Sequence, residues 1–98
     1  MLIDKPVKDG DTISLKLSSG DELVATLQSQ TETSFKLKTP MVLAQTAQGF
    51  GLVPYMFTVG PDSFINIEKS FVVSVAITHT DMANDYLSKV TGLHIGKI

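Results

Sequence analysis

The chain has 98 residues, 43% apolar and 18% charged, with a formal net charge of −2. That length fits one domain with a modest core, and so much apolar content on so small a body predicts further burial against a partner. There is no cysteine and no arginine, all eight basic residues being lysine, which excludes disulfides, thiolate zinc sites and thiol catalysis and counts against a general nucleic-acid binder built on arginine forks.

From Met1 to Thr12 the chain carries Asp4, Lys5, Pro6, Lys8, Asp9 and Asp11, without the apolar run of a secretory signal. No stretch approaches the roughly 18 consecutive apolar residues of a membrane helix. The expected location is the cytoplasm, with no membrane partner. Residues 12–18 then alternate, with Ile13, Leu15 and Leu17 on one face and Ser14, Lys16 and Ser18 on the other, the pattern of a half-buried strand. Ser18, Ser19, Gly20 and Asp21 form a turn in which Gly20 is free to take positive φ. A second strand covers 22–29 with Leu23, Ala25 and Leu27 inward. A polar connection, 30–33, leads to a third strand from Ser34, with Phe35 and Leu37 on one face and Lys36 and Lys38 on the other.

Pro40 cannot donate to a ladder and marks an edge, bulge or bend, after which 41–45 stay extended. Residues 47–51 read as a hairpin connection. A fourth strand spans 52–59, includes Tyr55, Met56 and Phe57, is interrupted at Gly60, Pro61 and Asp62, and resumes over 63–67. Glu68, Lys69 and Ser70 are a short polar turn. The stretch 71–78 is the strongest strand, with Phe71, Val73, Val75 and Ile77 on one face and Val72 and Ala76 on the other. A strand apolar on both faces is buried on two sides, and a subunit interface accounts for the second. Thr80 or Asp81 can cap a helix whose apolar residues Met82, Ala83, Tyr86, Leu87 and Val90 recur at three and four, with Gly92 placed to end it. The expected fold is mostly β: a single domain over 1–98, with an N-terminal extension (1–11), a strongly bent five-stranded antiparallel barrel (12–79) and a short C-terminal helix (80–92).

From Ile13 to Lys38 the chain resembles the first half of an Sm/LSm domain: alternating Ile13, Leu15 and Leu17, the turn glycine Gly20, then Leu23 and Leu27, then Phe35 and Leu37. The second half is similar too. Ile65 to Val75 occupies the place of the family's apolar strand, short basic turn and β-branched last strand. Lys69 and Ser70 fall on the lysine and histidine of the tyrosine-lysine-histidine turn of Hfq-like members. The texture is closest to divergent members of phage or environmental origin. The family's second-strand glycine is Ala25 here, its loop aspartate is Thr31, and its base-contacting asparagine falls on Ser34 or Phe35. The resemblance implies a homo-oligomeric ring in which the last strand of one subunit augments the sheet of the next. It also implies a single-stranded RNA ligand.

The candidate RNA residues are Thr31, Ser34, Phe35, Lys36, Lys69 and Ser70. Lys69 and Ser70 are placed to meet phosphate or base at the ring's pore, against the plainer reading of a polar turn. Phe35 would stack a base, against the plainer reading of a core residue. Lys36 and Lys38, with Lys16, would track phosphates, or simply protect a strand face. The candidate oligomer interface is Tyr55, Phe57, Phe71, Val72, Val73, Val75 and Ala76. No metal, cofactor or catalytic residue is indicated: His79 and His94 lack ligand spacing, and Asp81 and Asp85 suit a helix N-terminus. Two functions lead, a ring that binds single-stranded RNA and a homo-oligomeric scaffold of the same fold without an RNA ligand; the two-sided last strand argues against a third, a monomeric SH3-like peptide binder.

Overall fold

The computed structural model describes residues 6–60 and 62–96. Alternation sets the first three strands: β1 (Thr12–Leu17), β2 (Glu22–Gln30) and β3 (Ser34–Thr46). Gly20 sits at φ 99° in the turn between β1 and β2, a conformation that costs glycine nothing. β3 folds back at Thr46 into β4 (Gly49–Pro54). β5 (Phe64–Glu68) follows, then a 3-10 turn (Lys69–Phe71), β6 (Val72–Ile77) and the helix α1 (Thr80–Gly96). One antiparallel sheet results, in the order β4-β3-β2-β1-β6, with β5 also against β3.

The expected single fourth strand is in fact two. β3 is long enough to hold both on the edge away from β2: β5 pairs Ser34 to Lys38, and β4 pairs Met41 to Thr46. Pro54 ends β4, and the next residue, Tyr55, turns its N–H back to the Pro40 carbonyl at 3.0 Å. Tyr55, Met56 and Phe57 therefore belong to a loop and not to a strand. The five-stranded barrel expected from the sequence is a six-stranded sheet whose hydrogen-bond ladder does not close among the described residues.

The sheet bends because its ladders slip. Val24 pairs Met41 and Thr26 pairs Lys38, so two steps of β2 face three of β3, and the register passes over Thr39 and Pro40. Pro40 thus marks a bulge, one of the outcomes its missing N–H allows. Thr39 takes φ 49° there, in the left-handed region. Between Leu27 and Ser29 the slip reverses. A third bulge lies in β6, where Leu17 faces Val72 but Lys16 faces Ser74, leaving Val73 as the extra residue.

That bulge overturns the face pattern expected for the last strand. Val72 and Val75 are both buried, while Phe71, Val73 and Ile77 are exposed. Strict alternation puts Val72 and Val75 on opposite faces. One extra residue between them puts them on the same face.

Two apolar clusters flank the sheet. One face encloses Ile13, Leu15, Leu23, Leu27, Phe35, Leu37, Ile67, Val72 and Val75, joined by Val7 from the segment before β1. The other holds Val24, Met41 and Leu52 under α1, with Met82, Tyr86 and Val90 at helical spacing. The helix is capped by neither Thr80 nor Asp81, both of which lie inside it. His79 precedes it, and its Nδ1 accepts the Asp81 N–H at 3.2 Å. Nor does Gly92 end the helix, which continues to Gly96.

Tyr86 is fully buried, and its hydroxyl lies at the β2–β3 bulge. The oxygen accepts the Thr26 N–H at 3.1 Å and lies 3.3 Å from Thr26 Oγ1. Its proton faces the carbonyls of Lys38 (3.0 Å) and Thr39 (2.9 Å). Backbone groups that the slipped ladder leaves over are satisfied by a side chain from α1. Burial raises the phenol pKa above its ordinary value of 10.0, partly offset by the Thr26 hydrogen bonds.

Replacing Tyr86 with Phe should cost about 1–3 kcal/mol in urea unfolding, the usual penalty for stranding buried polar groups. The pH dependence has a definite sign. The unfolded phenol ionises near its ordinary value while the folded one stays neutral. Its contribution is therefore intact below about pH 10 and is lost as pH rises toward the folded pKa. The loss of stability above pH 10 should be shallower in Tyr86→Phe than in the parent protein. Parallel alkaline limbs would show that the hydroxyl carries no such linkage.

Candidate nucleic-acid interface and assembly edges

The connection between β2 and β3 is a tight hydroxyl-braced turn. Thr31 Oγ1 accepts the N–H groups of Thr33 (3.2 Å) and Ser34 (3.1 Å) and lies 3.2 Å from Ser34 Oγ. The Thr31 N–H donates to the Ser34 carbonyl at 2.9 Å. A threonine here offers the turn an acceptor that the ladder cannot. The 3-10 turn docks on it: the Lys69 N–H donates to the Thr33 carbonyl at 2.7 Å. The Lys69 side chain then runs back, with Nζ donating to Gln30 Oε1 at 2.9 Å. The ammonium stands 4.8 Å from the centroid of the Phe35 ring, within cation–π range.

Thr31, Ser34, Phe35 and Lys69 thus converge from separate stretches of sequence, with Ser70 exposed on the same 3-10 turn. For Phe35 the plainer reading of a core residue fits the structure. Phe35 is 1% exposed, so its ring offers no face to a base and serves as core beneath the lysine. Lys36 lies two residues further along β3, its ammonium 5.0 Å from the Phe64 ring on β5. Gln30 and Phe64 were not singled out by sequence reasoning. Gln30 reads only as a polar residue at a strand end, and nothing local indicates that its amide meets Lys69.

Among the described residues, the strands at the two ends of the sheet have no partner on their outer sides. β6 reads Val72-Val73-Ser74-Val75-Ala76-Ile77, without a charge or a proline. Phe71 and Val73 are more than half exposed beside it. At the other end, β4 and β5 form the far edge, flanked by Phe50 (72% exposed), Phe57 (78%) and Phe64 (45%). Pro40, Pro54, Met56, Phe57, Val59 and Ile65 line an apolar cleft there. Of the expected interface residues, Phe57, Phe71, Val73 and Ala76 are exposed, and Tyr55 is partly buried against the core. The side chains of Val72 and Val75 are in the core.

Among the described residues no cluster of three or more His, Cys, Asp or Glu could hold a metal. No helix among them is long and apolar enough to cross a membrane. Compared with known proteins, the chain matches no family model and no curated protein.

The turn's dependence on Thr31 is open to direct measurement. Thr31→Ala should lower stability by about 1 kcal/mol and speed hydrogen exchange at the Thr33 and Ser34 amides before any others. Unchanged exchange at both would mean the Thr31 hydroxyl does not brace the turn.

Proposed function

We propose that copies of this chain join edge to edge into a closed ring of Sm-like subunits that binds single-stranded RNA over the Lys69 turn. The observation that carries the proposal is the pair of free strand edges at opposite ends of one sheet. Isolated proteins blunt such edges with lysine, proline or a covering segment. The β6 edge has neither charge nor proline. Two different edges on one chain favour a head-to-tail contact, which either closes as a ring or runs on as a filament. Pairing with a neighbour would complete the ladder that one subunit leaves open. It would also cover Phe71 and Val73, in keeping with the apolar surplus of the composition. The strand order β6-β1-β2-β3-β5, with a 3-10 link between β5 and β6, suits a small bent barrel of Sm-like type.

The RNA half of the proposal rests on Lys69 and the hydroxyls of Thr31, Ser34 and Ser70, and on the resemblance around them. Each subunit offers few contacts, but a ring repeats them, and several weak sites on one strand multiply. A scaffold without RNA is the second reading. The net charge of −2, the absence of arginine and the burial of Phe35 favour it.

Light scattering after size exclusion should give a multiple of the 10.6 kDa chain. Val73→Lys, at an exposed edge position, should leave the fold intact and shift the protein to monomer. A parent protein that runs as a monomer removes both readings. Titration with short uridine-rich and adenine-rich RNA should show binding that weakens as salt rises, with Lys69→Ala weaker at low salt. An assembled ring with no RNA binding at low salt leaves the scaffold.

A further inference from the structure

We infer that Gln30 is a positioning residue: it fixes the Lys69 ammonium through an uncharged contact, aimed at an RNA phosphate. This rests on the RNA reading above. The Gln30 amide is used at both ends. Its Nε2 donates to the Val7 carbonyl at 3.3 Å, and its Oε1 accepts from Lys69 Nζ at 2.9 Å. Chemistry fixes that orientation, because the flipped amide would set an NH2 against an ammonium and an oxygen against a carbonyl. Val7 is itself part of the core, so the amide hangs from a rigid point.

A lysine side chain is a point charge on a flexible stem. Here three features narrow its range: the 3-10 turn bound to Thr33, the Phe35 ring beneath the ammonium, and the Gln30 oxygen beside it. Neither contact partner carries a charge. A glutamate at position 30 would accept from the ammonium but cancel its charge, and would lose the donation to the Val7 carbonyl. Glutamine holds it and leaves the positive charge for a ligand, in a chain with ten acidic residues. An ammonium has three N–H donors, and the Gln30 oxygen takes one. The ligand class that this arrangement suits is a phosphodiester oxygen, a singly charged acceptor that needs placement more than a fork.

The test is a double-mutant cycle on the full assembled chain, read by binding of short single-stranded RNA across a salt series. Gln30→Met should weaken binding roughly fivefold, within the usual range for contacting residues, with the salt slope unchanged because the charge remains. Lys69→Met should weaken binding and flatten the slope. Adding Gln30→Met to Lys69→Met should change nothing further, since there is no longer an ammonium to place. Gln30→Glu should behave as Lys69→Met does, with a flattened slope, and it guards against a Met variant that packs poorly. Gln30→Met binding RNA as tightly as the parent would overturn the assignment. So would a loss that persists in the Lys69→Met background, which would mark Gln30 as merely structural. A parent protein that binds no RNA at low salt would instead sink the RNA reading itself, and the assignment with it.

Discussion

The Tyr86 hydroxyl is the contact on which the shape of this small sheet depends. A ladder with three residues of β3 against two of β2 must leave backbone groups over, and inside a protein such groups are costly. The phenol supplies one acceptor and one donor where the bulge needs both, so the bend at Thr39 and Pro40 is tolerated. From the bend follow the enclosure of the main core on one face and the shelf for α1 on the other. The helix is therefore more than a cover. Its central residue belongs to the sheet's own hydrogen-bond network, while Met82 and Val90, one turn to either side, add apolar contact.

Interior and edge are treated differently in the same sheet. Where β2 and β3 slip, the Thr26 N–H and the Lys38 and Thr39 carbonyls find a partner in Tyr86, and no buried side-chain nitrogen or oxygen among the described residues lacks one. Among the described residues no strand pairs with the outer side of β6, and the strand bears no charge to keep other chains away. A fold that answers one backbone fault with a buried tyrosine and leaves a whole edge open is consistent with an edge meant for another strand. Phe71 and Val73 beside it point the same way.

Much of the sheet was legible because alternation is a local signal. Ile13, Leu15 and Leu17, then Leu23, Ala25 and Leu27, then Phe35 and Leu37 all face the core that their spacing predicted. What failed was parity over distance. Val73 inserts one residue, and every face assignment beyond it changes. The split of the fourth strand was hidden for a related reason: Tyr55, Met56 and Phe57 have strand-like composition, but β3 had room for two partners, and Pro54 ended the first. Tyr86 could be placed on the helix stripe from spacing alone. Its hydroxyl's partners could not, because they are backbone atoms 47 to 60 residues away. Gln30 is the same case: its use follows from where the 3-10 turn lands.

A net charge of −2 need not contradict an RNA ligand, because charge acts locally in salt. At physiological ionic strength a field falls off over about 8 Å, shorter than the distance across even this small domain, whose principal extents are 37 × 26 × 24 Å. The two groups that hold the Lys69 ammonium are uncharged, the Gln30 amide oxygen and the Phe35 ring, although Glu68 adjoins it in sequence and Glu32 lies in the turn on which it docks. Acids elsewhere on the subunit are screened. They would slow the approach of a long polyanion more than they would weaken its hold once it is seated. Ring closure, as proposed, would strengthen this division by bringing one cation per copy to a shared face. On the proposed reading, total charge would set how readily the assembly and a nucleic acid meet, and the placement of one lysine per subunit would set whether they stay together.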